Sequence, residues 1–369
     1  MNAFLILEDG HVFPGKAYGS CRDVISEIVF NTSMTGYTEV LTDPSYSGQA
    51  VVMTYPLIGN YGVCLEDMES EKPWLSGFIV RELSRIPANF RSDETIQSFL
   101  LRYDIPCIAG VDTRAVTKLL REKGTMRGMI AHTETKEALD TDALLEQIRA
   151  YHTGDEVARV SRREPERLPR AGLKVALMDY GVKENIARCL HARGCDVTIW
   201  PASTPAEEVL ASDPDGIMLS NGPGDPKEYK EVIREVRKLY DSDVTVFAIC
   251  LGHQLMALAL GGDTHRMKYG HRGANHPVRD LRTGKVYLSS QNHGYVVDEK
   301  SLPETIAVPA FENVNDGTNE GMNYIGKNIF TVQFHPEASP GPHDTAFLFD
   351  RFIEMMNQKK AEERSGKNA

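Results

Sequence analysis

From Leu173 to Cys250, short apolar runs alternate with segments of helical period, and this rhythm constrains the fold more than any other feature of the chain. LKVALMDY (173–180) is an apolar run suited to a strand covered on both faces. GVKENIARCLHARG (181–194) has helical spacing and a stop at Gly194. The cycle repeats with DVTIWP (196–201) as strand, AEEVLAS (206–212) as helix, GIMLS (216–220) as strand, KEYKEVIREVRKLYD (227–241) as helix and VTVFAIC (244–250) as strand. Such alternation implies parallel strands joined by right-handed helical crossovers, a doubly wound α/β domain. Sites in these sheets lie beyond the carboxyl ends of the strands.

The N-terminal part reads differently. FLILEDG, EIVFNTS, EVLTD and QAVVMTYP suggest short strands separated by turn residues, followed by helices at 93–102 and 112–123, the second with Asp112 as N-cap and Gly124 as stop. A chain of 369 residues is expected to hold about two domains. The expected division is a mixed, β-rich first domain over 1–152 that binds a partner, a polar linker over 153–172, a second domain over 173–360 and a disordered tail over 361–369.

Composition narrows the function classes. A net charge of −11 removes the electrostatic footprint that nucleic acid requires. No apolar window approaches the length of a membrane span, and the first residues lack a basic leader and a cleavage site, so a soluble cytoplasmic protein is expected. The six cysteines form neither CxxC pairs nor a metal-ligand spacing; reduced thiols and no bound metal are expected.

Three loops at expected strand ends carry chemistry. SNGPGDP (220–226) follows a strand and could aim unobstructed backbone amides at an anion, although alone it could be a plain tight turn. In VFAICLGHQLMALALGG (246–262) a buried strand runs through Cys250 straight into a helix. There a thiolate is favoured by the positive helix end, and the small residues Ala248 and Gly252 permit tight backbone packing. In TVQFHPEASPGPHD (331–344) a strand carries His335 to its end, with Glu337 two residues on to orient the imidazole. Nucleophile, base and orienter are thus all available, where a lone buried cysteine or strand-end histidine would mean only packing. His253, His293 and His343 are the competing bases. A fourth segment, SSQNHGYVVD (289–298), reads as two strand pieces around an Asn-His-Gly turn whose polar edge could hold an amino-acid backbone.

AICLGHQ, NGPGDP and FHPEASPGPHD resemble the class I glutamine amidotransferase domain, and the last string is close to that of the carbamoyl phosphate synthetase small-subunit family. FNTSMTGYTEVLTDPSYSGQ, TYPLIGNYG and AGVDTRAVTKLLR resemble that family's own first domain, so the likeness spans nearly the whole chain. The resemblance implies that Cys250 attacks the carboxamide of glutamine, His335 moves protons and Glu337 orients His335, through a γ-glutamyl thioester. It implies an oxyanion hole from the amides of Gly222 and Leu251. It also implies glutamine contacts from Ser45, Gly222, Gly224, Leu251, Gln254, Asn292, Gly294 and Tyr295, with Ser45 contributed by the first domain. The chain departs from the family pattern at Ala248, where glycine is frequent, and at Tyr295, where phenylalanine is frequent. The implied partner is a large subunit that binds MgATP and bicarbonate and receives the ammonia, this chain binding no cofactor itself, for arginine or pyrimidine biosynthesis. Two other readings stay open: a free-standing γ-glutamyl hydrolase, and a catalytically silent scaffold subunit.

Overall fold

The computed structural model describes residues 1–366 and divides the chain into two compact units, Met1–Glu156 and Val157 onward. In the first unit lie β1 (Asn2–Leu7), β2 (Val12–Gly19), β3 (Val24–Asn31), α1 (Tyr37–Thr42), β4 (Gln49–Met53), β5 (Leu57–Ile58), β6 (Gly77–Val80), β7 (Glu82–Leu83), α2 (Ile96–Arg102), β8 (Pro106–Ala109), α3 (Thr113–Lys123), β9 (Met126–Thr133) and α4 (Thr141–Ala150). Seven of the strands close into a barrel in the order β1-β2-β8-β6-β4-β3-β9, which leaves no open edge. Helix α3 sits where its signals put it: the Asp112 carboxylate accepts the Ala115 N–H, and Gly124 ends the helix at φ 101°.

EVLTD, expected as strand, is instead the helix α1. Tyr37, Val40 and Leu41 recur at helical spacing and are buried. Gly36 enters the helix in the left-handed region, at φ 82°, and the Thr42 hydroxyl donates to the Thr38 carbonyl one turn back. The segment is too short for its period to be distinguished from alternation in the sequence.

The second unit begins with α5 (Glu156–Val160), which starts on the last residue of the first, and continues with β10 (Glu166–Leu168), β11 (Lys174–Asp179), α6 (Glu184–Ala192), β12 (Asp196–Pro201), α7 (Ala206–Ala211), β13 (Gly216–Leu219), α8 (Lys230–Asp241), β14 (Thr245–Ile249), α9 (Leu251–Ala259), β15 (Asp263–Asp280), β16 (Val286–Asp298), β17 (Ala307–Asn313), β18 (Asn319–Tyr324), β19 (Ile329–Val332) and α10 (Phe347–Gly366). One ten-stranded sheet runs β10-β12-β11-β13-β14-β19-β18-β17-β15-β16. The strands from β12 to β19 pair in parallel, as the alternation requires, and the rest extend the sheet antiparallel. Apolar clusters cover both faces of the parallel half. Beneath β14, Phe247 stacks on Phe330 at 4.4 Å between centroids and meets Phe349 of α10 edge-on at 5.7 Å. Each such ring pair contributes about 0.5–1.5 kcal/mol beyond burial, which stiffens the strand that ends at Cys250.

Most of the expected linker belongs to this unit. Its charges look solvated in the sequence but find distant partners: Arg162 bridges Asp179 at 3.1 Å, Glu184 at 2.5 Å and Glu166 at 2.9 Å, and Arg167 meets Asp196 at 2.7 Å. β10 then pairs with β12. The expected tail is helical to Gly366 as the last turns of α10, and 367–369 lie outside the described residues. The Asn-His-Gly segment is not a turn; residues 292–294 run unbroken within β16. The hairpin turn lies between β15 and β16, where the Asp280 carboxylate accepts the amides of Arg282 and Thr283 and Gly284 takes φ 71°. Among the described residues no helix is long and apolar enough to cross a membrane.

Candidate active site

Cys250 stands between β14 and α9 with φ 52° and ψ −105°, a conformation that costs a non-glycine residue about 1–3 kcal/mol and that the packing around it must hold. Three hydrogen bonds do so. Its N–H donates to the Val332 carbonyl at 2.8 Å, the Gly252 N–H to Ser220 at 3.0 Å, and the Gln254 N–H to the Cys250 carbonyl at 3.2 Å. The turn is tight because Gly252 lies on the backbone of β13. A Cβ there would stand 2.5 Å from the Leu219 carbonyl oxygen and 2.7 Å from Leu219 Cβ. A Gly252→Ala chain is therefore expected to lose about 1–3 kcal/mol of stability, read as a lower urea midpoint.

His335 follows β19, and its backbone is tied to β16 by a 2.9 Å bond from its N–H to the Ser290 carbonyl. Its Nδ1 lies 2.6 Å from Glu337 Oε1, which leaves Nε2 as the free edge of the ring. The Cys250 thiol is close enough to that ring to act on its protonation. Sγ also lies 3.7 Å from the Asn292 carbonyl. Cys250, His335 and Glu337 are all buried.

The electrostatics follow from a fourth residue. Lys183, on the loop between β11 and α6 and equally buried, places Nζ 3.1 Å from Glu337 Oε1 and donates to the Ala338 carbonyl at 2.5 Å. Burial pushes the Glu337 carboxyl up, but the adjacent Lys183 and His335 charges outweigh it and hold the group at about 2. Burial pushes His335 down, yet the Glu337 carboxylate and the Cys250 thiol together raise it to about 10. The ring thus has a strong tendency to take and hold a proton. Its stabilising contribution is complete below the ordinary histidine value of 6.5 and is lost as pH rises through about 10. That of Glu337 is complete above its ordinary value of 4.5 and is lost as pH falls through about 2. In a Glu337→Gln chain the imidazolium should survive only to a lower pH. The alkaline limb of the pH–rate profile is then expected to move down from near 10 toward 6.5.

The other expected contacts gather around this core in part. Gly222 packs on the Tyr180 carbonyl, and a Cβ there would stand 2.7 Å from Leu251 Cδ2, so the Leu251 side chain lies against Gly222. Gly224 takes φ 86° above the Tyr229 hydroxyl, where any side chain would clash. Gln254 spends its amide hydrogens on the Tyr295 carbonyl and Gln333 Oε1, both at 2.9 Å, leaving its own oxygen as the group it can offer. Asn292, Gly294 and Tyr295 lie on β16, and Arg272 Nη2 backs onto Gly294. Ser45 belongs to the first unit, buried in a short 3₁₀ turn where its N–H donates to the Asp43 carboxylate at 2.9 Å.

Two of the competing histidines are engaged elsewhere. His253 is sealed against Thr331 at 2.8 Å and burial pushes it down to about 3; His293 joins a polar cluster; His343 is exposed. Lys183 was not singled out from the sequence. Only its place on the loop after β11, at a carboxyl end of the sheet, could have flagged it.

Two family profiles match the chain: "Glutamine amidotransferase class-I" over residues 176–355 and "Carbamoyl-phosphate synthase small chain, CPSase domain" over residues 5–130. Among curated proteins, the chain is 49% identical over 361 residues to the "Carbamoyl phosphate synthase pyrimidine-specific small chain" of Halalkalibacterium halodurans, covering 98% of each chain. It is 49% identical over 360 residues to the "Carbamoyl phosphate synthase small chain" of Oceanobacillus iheyensis, covering 97% of each. The protein of the same name from Clostridium perfringens is 49% identical over 353 residues, 96% of this chain and 99% of its own.

Proposed function

The chain belongs to the carbamoyl phosphate synthase small-chain family, and from that premise we propose that its Cys250 hydrolyses L-glutamine through a γ-glutamyl thioester and that the ammonia passes to a large subunit. The observation that carries the reading is the buried Cys250, His335 and Glu337 set, with Nδ1 of the ring tied to the carboxylate and Nε2 left for the thiol.

Cys250 Sγ bonds to the side-chain amide carbon of glutamine with its proton already held on His335. The oxyanion that develops is received by the amides of Gly222 and Leu251, each donor worth about 3 kcal/mol. As the carbon–nitrogen bond breaks, His335 returns the proton to the departing nitrogen and ammonia leaves. Water then attacks the thioester with His335 as base, releasing glutamate and restoring the thiol. Gly224, Gln254, Asn292, Gly294 and Tyr295 complete the glutamine contacts. Gln254 supplies an acceptor, suited to the substrate ammonium, because both its amide hydrogens are already used.

Carbamoyl phosphate synthesis needs MgATP and bicarbonate, and the large subunit would bind them. The test is reconstitution with a large subunit of this family. The chain alone should release ammonia from glutamine slowly, and the partner with MgATP and bicarbonate should accelerate it and convert the ammonia to carbamoyl phosphate. Glutamine turnover that is indifferent to the partner would favour a free-standing γ-glutamyl hydrolase instead. The match of residues 5–130 to the small-chain profile argues against that outcome.

A further inference from the structure

Behind the glutamine-facing strand lies a buried polar cluster that the chemistry above does not use. Glu320, on β18 and fully buried, takes two amide donors on one oxygen: Gln291 Nε2 and Asn313 Nδ2, each at 2.9 Å. The same oxygen stands 3.5 Å from His271 Nδ1 on β15, and the far nitrogen of that ring meets Asp316 at 2.8 Å. From Gln291 the chain of contacts continues along β16: its Oε1 is 3.1 Å from His293 Nε2, and His293 Nδ1 is 2.9 Å from the Tyr295 carbonyl. That carbonyl is the one that also holds Gln254.

The cluster therefore grips residues 291–295 from behind. The same short stretch presents Asn292, whose carbonyl faces the Cys250 sulfur, and Gly294 and Tyr295. β15 and β16 pair through Gln291, Asn292, His293 and Tyr295, and the register shift between Arg266 and His271 interrupts the ladder at Gly294. The buried Glu320 and His271 side chains support the strand at this interruption through Gln291 and Asn313. His271, His293 and Glu320 also bring their ligand atoms within 4.8 Å of one another, a spacing that would suit a metal ion. The two amide donors already on Glu320 favour the hydrogen-bonded pair over a coordinated cation.

We propose that Glu320 and His271 are positioning residues that set the affinity for glutamine by fixing strand residues 291–295 through Gln291 and His293. The inference rests on the glutaminase reading for its substrate and on geometry alone for the strand it holds.

Two variants separate shape from charge. Glu320→Gln keeps the volume and one acceptor oxygen, whereas Glu320→Ala leaves Gln291, Asn313 and His271 without their common partner. In Glu320→Ala the KM for glutamine should rise about tenfold while kcat falls less than threefold, and amide hydrogen exchange at 291–295 should quicken by at least tenfold. Glu320→Gln should recover most of both. A His271→Asn chain should shift KM in the same direction by a smaller factor. Unchanged exchange at 291–295 in folded Glu320→Ala overturns the proposal whether or not the parent hydrolyses glutamine. Faster exchange with an unaltered KM overturns the link to affinity. Equimolar zinc found by elemental analysis in parent protein dialysed against it, and lost in Glu320→Gln, would make the cluster a metal centre and overturn the hydrogen-bonded account. A parent without glutamine turnover removes the glutaminase reading, and with it the link to affinity, while exchange still decides the claim about the strand.

Discussion

A Cys250→Ser chain is expected to fold like its parent and to lose glutamine hydrolysis by ~10⁴-fold or more, the scale on which hydrolases lose turnover without their nucleophile. Folding should survive because the change is one atom at a site held by backbone bonds: the 2.8 Å bond to Val332 and the Gly252 amide on Ser220 do not involve the sulfur. Turnover should not survive, because His335 is raised to about 10 partly by the thiol and would now face an alcohol that gives up its proton far less readily. The complex rebuilt with this chain should still make carbamoyl phosphate when ammonia is supplied directly. Measuring glutamine-dependent and ammonia-dependent synthesis side by side separates loss of chemistry from loss of assembly. Glutamine-dependent synthesis that persists in the Cys250→Ser complex would mean that the chain serves as a scaffold and that the nitrogen is freed elsewhere.

Legibility in the sequence followed the range of the forces involved. β11, β12, β13 and β14 and their crossover helices were readable because a strand buried on both faces must be apolar throughout, a property visible in a window of six residues. Asp112 and Gly124 marked α3 because capping is local. α1 was misread, since six residues with apolar positions at 37, 40 and 41 carry too little period to separate helix from strand. The polar stretch before β11 was misread for the opposite reason: Arg162 and Arg167 find Asp179 and Asp196 only after the sheet has formed. The Asn-His-Gly segment has turn composition, yet pairing of Asn292 with Arg272 and His293 with His271 keeps it extended.

The site divides along the same line. Cys250 and the pair His335 and Glu337 stood out because each sits in a local motif at a strand end. Glu337 is only two residues from the ring it orients, so that contact was inferable from spacing. Lys183 and Glu320 were invisible because their partners are distant in sequence: Lys183 meets residues more than 150 positions away, and Glu320 gathers Gln291, Asn313 and His271 from three other strands.

Lys183→Met is expected to cost about 3–5 kcal/mol of stability, the range for breaking a buried ion pair by removing one partner. The loss has two sources. Glu337 keeps a full negative charge in a fully buried place with only the imidazolium opposite, and the Ala338 carbonyl loses its donor. Ala338 and Ser339 both take positive φ, 58° and 52°, so the turn that carries Glu337 is held in an unfavourable backbone region by Lys183 and by Asn185, which donates to the Glu337 carbonyl at 2.5 Å. Urea unfolding should show the cost as a lower midpoint with an unchanged slope. The pH profile then tells this role apart from that of Glu337. The Lys183 charge lowers His335, so its removal should move the alkaline limb of glutamine hydrolysis upward, whereas Glu337→Gln moves it down. The Lys183→Met/Glu337→Gln pair removes both buried charges together and should recover part of the stability lost by the lysine change alone. A limb that shifts downward in Lys183→Met, or a double variant that is less stable than the sum of the two single losses, would mean that the ammonium does not act through Glu337.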